Sequence, residues 1–126
     1  MEYTGRMWTI TLPDGTPLLS MNDRRHHMAQ AAATRQLMET FRWLVRQQHI
    51  PHLERVHVVF YLLQPDHRRR DPANWMATAK VGVDAIVREG VLKDDDHRHV
   101  TGPDPRLIPG MPSPALRFVL RIRELE

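Results

Sequence analysis

Alternating and continuous apolar segments predict several strands. Residues 7–12 alternate loosely between apolar and polar side chains, and a turn at Pro13–Thr16 leads into an extended segment at residues 17–22. Residues 55–63 are rich in β-branched and aromatic side chains, which is typical of a buried strand, and residues 116–122 form a similar segment near the end of the chain.

Two segments have a helical pattern. From Asp23 to Gln48 apolar side chains recur every three or four residues without Pro or Gly, so we predict a long helix that Asn22 or Asp23 can cap. Asp71 followed by Pro72 predicts the start of a second helix, which Gly90 ends as a left-handed residue.

The remaining segment, residues 94–112, is rich in Pro and Gly and predicts loops, with one short strand around residues 97–101. The resulting order of strands and helices favours an α+β fold, with two main helices packed on one face of a small mixed or antiparallel sheet. A chain of 126 residues has room for one domain, so residues 1–126 are expected to form a single unit.

Composition excludes several classes of protein. The chain has no cysteine, which rules out disulfides, zinc–thiolate sites and thiol nucleophiles. It has no apolar run long enough to cross a membrane and no signal-peptide pattern, so we expect a soluble cytoplasmic protein without a membrane partner. The 18 basic residues are 16 arginines and two lysines. Arginine suits phosphate groups, which suggests nucleic acid, although a GC-rich coding sequence alone would give the same bias.

Acidic side chains concentrate between residues 68 and 99. Asp71 lies at the start of the second predicted helix, Lys80 and Asp84 are four residues apart along it, and residues 94–96 are three successive aspartates. Helical spacing places positions 73, 77, 80 and 84 on one face. If the chain folds back after the helix, these carboxylates can surround a hard cation such as Mg²⁺, which activates water and stabilises charge on a phosphate.

Each residue also has an explanation that involves no ligand. Asp71 can simply cap the helix, Asp84 can form a surface ion pair with Arg88, and three successive aspartates are typical of a solvated turn. His97 and His99 could form a transition-metal pair if they lie on one face of a strand, but no third ligand is evident.

The segment from Arg70 to Asp95 resembles the core motif of RusA-type Holliday junction resolvases, a family often encoded by phages. That motif is Arg-Asp-x-Asp-Asn, then a helix with Lys and Asp, then Gly, an aliphatic pair and Asp-Asp. The matching residues here are Arg70–Asn74, Lys80 with Asp84, and Gly90–Asp95. The residues before the first helix, Leu19–Asn22 and Arg24–His26, also resemble the polar start found in the family.

The resemblance implies a RusA-like fold and a homodimeric, Mg²⁺-dependent endonuclease that resolves four-way DNA junctions in recombination and repair. It assigns catalytic roles to Asp71, Lys80 and Asp95. Asp71 and Asp95 would also bind the metal, and we expect Asp84, or else Asp94 or Asp96, to complete the site. The DNA backbone would be bound by a set of arginines: Arg24, Arg25, Arg68, Arg69 and Arg70.

Two departures from the family pattern matter. The second aspartate of the first motif is replaced by Ala73, so one expected ligand is missing. Asn74 and Lys80 are also separated by nearly one extra helical turn, so either the helix starts a turn earlier or its first turn is irregular. The alternative function is therefore a weakened relative that binds branched DNA without cutting it.

Overall fold

The computed structural model describes residues 1–22, 24–112 and 115–126. These residues form an α+β fold with a mixed sheet and two α-helices, as the sequence predicts, and the sheet has four strands. The strands are β1 (Tyr3–Thr11), β2 (Val56–Leu63), β3 (Val100–Ile108) and β4 (Arg117–Leu125). The helices are α1 (His27–Gln47) and α2 (Met76–Arg88), and a 3₁₀ helix at Pro72–Trp75 leads directly into α2.

The strand order is β1–β4–β2–β3, which leaves β1 and β3 at the edges of the sheet. β4 runs antiparallel to both β1 and β2, whereas β2 and β3 are parallel and are connected through α2. β3 contains Pro103 and Pro105, which lack a backbone N–H group. An edge strand tolerates them because one of its sides needs no partner.

Both helices pack on the same face of the sheet. Alternate residues of the two central strands are fully buried on that face, among them Phe60 of β2 and Phe118 of β4. Their rings stack with centroids 5.2 Å apart, and Phe41 of α1 meets Phe118 edge-on at 6.2 Å. Burial of each such aromatic side chain contributes about 2–3 kcal/mol, so this cluster fixes where the helices lie.

Gly82 allows α2 to approach the sheet closely. A Cβ atom at this position would lie 2.9 Å from Leu120 Cδ2 and 3.1 Å from Phe41 Cζ, inside normal contact distance. The missing side chain therefore sets the depth at which α2 lies, and with it the height of the exposed residues Lys80 and Asp84 above the sheet.

The opposite face of the sheet carries a buried histidine. His57 of β2 is only 7% exposed, and both ring nitrogens have partners. Nε2 lies 2.6 Å from Asp104 Oδ2, and Nδ1 lies 2.6 Å from the Tyr3 hydroxyl. Because a carboxylate only accepts hydrogen bonds, Nε2 donates to Asp104. This chain of contacts ties β1, β2 and β3 together beside the register shift between β2 and β3.

Several sequence predictions of local structure are wrong. Residues 17–22 form no strand; instead Leu19 exchanges two hydrogen bonds with the hydroxyl of Thr78, which fixes this segment against α2. The first strand begins at Tyr3 and the last strand extends to Leu125, so both strands are longer than predicted. The short strand predicted at residues 97–101 is in fact β3, which starts at Val100 and continues through the prolines.

The start of the first helix also differs from the prediction. α1 begins at His27, and His26 caps it by accepting a hydrogen bond from the backbone N–H of Met28. Of the two predicted caps, Asn22 lies in a turn before the helix, and Asp23 lies outside the described residues. Among the described residues, neither helix is both long and apolar enough to cross a bilayer.

Candidate active site

A polar cavity of about 330 Å³ opens between α2, the loop that follows it and the start of β3. Three of its lining residues are charged and were predicted from the sequence as site residues: Lys80, Asp84 and Asp95. The other lining residues are Val83, Val100, Gly102 and Pro103. The structure therefore brings together three of the predicted residues from two separate parts of the chain.

Helix α2 presents Lys80 and Asp84 one turn apart on its exposed side. The alternative in which Asp84 pairs with Arg88 is not realised, since no ion pair joins them in the described part of the chain. Asp84 lines the cavity, whereas Arg88 lines a separate cleft against α1. Asp84 is thus free of a neutralising arginine on its own helix.

The chain folds back after α2 because of Gly90 and two buried aliphatic residues. Gly90 has φ +81°, the left-handed conformation that ends the helix, as predicted. Val91 and Leu92 are then buried in the core, and the carbonyl of Val91 accepts a hydrogen bond of 2.7 Å from the N–H of Leu53. These contacts fix the loop so that Asp95 reaches the cavity.

The three successive aspartates have different roles. Asp96 pairs with Arg98 at 2.6 Å, and this hydrogen-bonded contact lowers the pKa of Asp96 to about 2. Asp94 accepts a hydrogen bond of 2.7 Å from the backbone N–H of Asp95. Asp95 alone lines the cavity. The explanation as a solvated turn therefore fits Asp94 and Asp96, which shape the loop that presents Asp95.

Asp95 is electrostatically frustrated. Its pKa is raised above the ordinary value by a hydrogen bond with the Asp94 side chain, by partial desolvation and by the negative charge of Asp84. Clustered carboxylates that repel each other are costly in the absence of a cation, and they are common where proteins bind one. The raised pKa of Asp95 and the cavity that it shares with Asp84 both reflect the closeness of these two residues.

Gly102 and Pro103 form a wall of the cavity that sequence reasoning missed. Gly102 has φ +93°, and a Cβ atom there would collide with the carbonyl oxygen of Val58 on the neighbouring strand. Only glycine fits, so β3 lies tight against β2 at this point. The hydrogen bond between His57 and Asp104 holds the next part of the strand. The Pro-Gly composition that suggested a loop was the available signal of an unusual backbone.

Asp71 is not among the residues that line the cavity. Its side chain accepts a hydrogen bond of 3.0 Å from the N–H of Ala73 and caps the 3₁₀ helix, with Pro72 at the first position. The first turn is irregular, which is one of the two explanations offered for the long spacing between Asn74 and Lys80. The predicted common face is therefore wrong at position 73, which lies in the 3₁₀ helix, whereas positions 77, 80 and 84 lie within α2 at the predicted spacing. Ala77, however, lines another cleft, beside Leu19.

The predicted DNA-binding arginines fall into two groups. Arg70 donates to Gln64 and Asp66 at 2.7 Å, and Arg25 donates to the carbonyl of Leu18 at 2.8 Å, so both stabilise local loops. Arg24, Arg68 and Arg69 are exposed. The exposed group is available to an anionic partner, whereas the other two are already engaged.

The histidine pair does not form on a strand. Residues 97–99 form a turn, and His99 Nδ1 lies 2.8 Å from the carbonyl oxygen of Glu54. No group of three or more His, Asp or Glu side chains within residues 1–22, 24–112 and 115–126 is arranged around a common metal position. Metal binding at the cavity would therefore rely on the two carboxylates Asp84 and Asp95, completed by water.

Compared with models of known protein families and with curated proteins, the sequence matches none of them.

Proposed function

We propose that this protein is a RusA-like, Mg²⁺-dependent endonuclease that cuts branched DNA such as four-way junctions. The observation that carries the proposal is the shared cavity of Lys80, Asp84 and Asp95. Two carboxylates and one ammonium group around an open polar cavity suit the hydrolysis of a phosphodiester. The resemblance to the RusA motif covers these same residues and is the reason for proposing branched DNA as the substrate.

The residues present fit Mg²⁺. This ion prefers oxygen ligands and is commonly bound by one or two carboxylates while water fills the remaining positions. Asp84 and Asp95 would provide the carboxylates, and their mutual repulsion, which helps to raise the pKa of Asp95, would be relieved by a cation. When bound, Mg²⁺ stabilises negative charge on the phosphate and favours ionisation of water.

The protein's own side chains bind the phosphate groups and donate a proton to the leaving oxygen. Lys80 is exposed at the rim of the cavity, where its ammonium group can bind the scissile phosphate and give a proton to the leaving oxygen. Arg68 and Arg69 are exposed in the loop before α2 and can bind neighbouring phosphates. Water adds to phosphorus as the bond to the leaving oxygen breaks, so the products are a phosphate end and a hydroxyl end.

The proposal includes a homodimer. Resolving a four-way junction requires two cuts, and a two-fold dimer presents two sites to a substrate of similar symmetry. Light scattering of the purified protein tests this part independently: a mass near twice 14.8 kDa supports it, and a monomer at all concentrations contradicts it.

A second candidate function is binding of branched DNA without cutting. It is favoured by Ala73, which replaces the second acidic residue of the family motif, and by the role of Asp71 as a helix cap. This candidate keeps the arginine contacts but lacks the full set of acids.

A labelled synthetic junction distinguishes these functions. We expect the wild type to cut it with Mg²⁺ and to bind without cutting in EDTA, and Asp95→Asn to bind without cutting in either condition. Glu54→Gln is the matched control, because it removes the same charge from an exposed side chain that does not line the cavity. Binding without cutting by the wild type would favour the second function, and equal cutting by Asp95→Asn would contradict the proposed site.

A further inference from the structure

A second cleft, of about 320 Å³, lies between α1 and α2. Three of its six lining residues are arginines, and only one is acidic. The lining residues are Thr34, Arg35, Met38, Glu39, Arg42 and Arg88.

Arg42, which lines this cleft, and Arg46, one turn further along α1, are both held by one carboxylate. Glu89 is nearly buried, with its side chain 10% exposed, and it accepts a hydrogen bond of 2.7 Å from Arg46 Nε and one of 2.6 Å from Arg42 Nε. These two contacts lower the pKa of Glu89, so its carboxylate stays ionised over a wide pH range. Each guanidinium group uses only its Nε atom in this contact, so its terminal amino groups can still donate to another acceptor.

The cleft therefore has an excess of positive charge. Two of its three arginines, Arg35 and Arg88, form no ion pair within the described part of the chain, and the third, Arg42, shares the single carboxylate of Glu89 with Arg46, which does not line the cleft. Guanidinium groups that are oriented in advance and only half neutralised are well suited to phosphate oxygens.

Helix α2 contributes residues both to the acidic cavity and to this cleft. Arg88 follows Asp84 by one helical turn, a rise of about 6 Å along α2. Trp43 is 56% exposed on α1, one turn beyond Glu39, which lines the cleft. An exposed indole beside arginines is a surface on which an unpaired base can stack.

We propose that this cleft binds the phosphodiester backbone of a nucleic-acid strand that leaves the acidic cavity along α2. The proposal rests on the nucleic-acid substrate proposed above, but it concerns binding and requires no cutting. Charge complementarity favours this occupant over an apolar peptide: the cleft offers three arginine side chains as cationic donors, and Met38 is the single apolar residue among those that line it.

Arg35→Gln and Arg88→Gln test the proposal, since neither arginine forms an ion pair with any of the residues that the structure describes. Affinity for a labelled four-way junction is measured without Mg²⁺ over a range of salt concentrations. The matched control is Arg55→Gln, which removes the same charge from an exposed side chain that contacts only the backbone carbonyl of Glu126. Thermal unfolding of each variant verifies that the fold is intact.

We expect each cleft variant to bind about fivefold more weakly and to lower the slope of log affinity against log salt by about one. The control should match the wild type. If the cleft variants also match the wild type while the junction is still bound, the cleft inference is wrong and the proposed function stands. If the wild type binds no DNA at all, both are wrong.

Discussion

The carboxyl groups of Asp84 and Asp95 line one cavity although they belong to different elements, α2 and the loop that follows it. The pKa of Asp95 is raised by its contact with Asp94, by desolvation and by the charge of Asp84. The folded protein therefore holds a proton on Asp95 more tightly than the unfolded chain does. As pH rises through the ordinary value and then the raised pKa, the folded state loses stability.

We expect Asp84→Asn and Asp95→Asn to raise the Tm at pH 7 by about 2 °C in the absence of metal, because each removes this repulsion. Mg²⁺ should raise the Tm of the wild type and leave both variants unchanged. Asp96→Asn should instead lower the Tm, since Asp96 has a pKa of about 2 owing to its favourable contact with Arg98. Equal Mg²⁺ effects in wild type and variants would contradict a metal site at this cavity.

Asp71 has two properties that substitutions can separate: its side chain caps the 3₁₀ helix, and it carries a negative charge. Asparagine caps a helix as well as aspartate does, whereas alanine does not, so Asp71→Asn should keep the stability of the wild type and Asp71→Ala should lose about 1 kcal/mol. The family resemblance predicts that both variants lose cutting. Thermal unfolding and the junction assay are measured on the same preparations. Full cutting by Asp71→Asn would leave Asp71 as a cap only.

The sequence predicted the elements whose burial is strongest. β2 is a continuous run of buried residues and α1 has an uninterrupted helical period, so each is determined by its own local pattern. β3 was underestimated because its prolines are unfavourable in a central strand, and only the sheet order shows that it lies at an edge. The start of α1 was misplaced because Asn22 is a good cap residue by type, yet the chain first turns toward α2.

Part of the site could also be predicted, because some of its residues follow from local sequence patterns. Lys80 and Asp84 follow from helical spacing, and Asp95 from the motif resemblance. Asp71 failed to join the cavity because its side chain is used by the backbone of the 3₁₀ helix. The wall at Gly102 and the cleft at Arg35 depend on which elements pack side by side, which no local pattern in the sequence records.

Gly82 provides a test of how closely α2 packs. Gly82→Ala gains about 1 kcal/mol of helix propensity, but its Cβ would lie 2.9 Å from Leu120 Cδ2, and overpacking of this kind costs about 1–3 kcal/mol. We expect a net loss of about 1 kcal/mol in the free energy of unfolding, measured by urea titration. In a Leu120→Ala background the closest contact is removed and only the one with Phe41 at 3.1 Å remains, so the same change should cost less stability. A loss of equal size in both backgrounds would contradict the packing argument.

The acid stability of the protein depends on the contact between β1 and β4. Arg6 donates two hydrogen bonds to Glu124, of 2.9 and 2.7 Å, and these, with one from Thr4, lower the pKa of Glu124 from 4.5 to about 2. A lowered carboxyl pKa stabilises the fold above the ordinary value, and this contribution disappears as pH falls from 4.5 to about 2. Arg6→Gln should therefore lower the Tm by about 2 °C at pH 7 and reduce the loss of Tm across that acid range. The two curves should converge near the lower limit, and added salt should narrow their difference at neutral pH. Parallel curves at all pH values would show that the contact between Arg6 and Glu124 does not control acid stability.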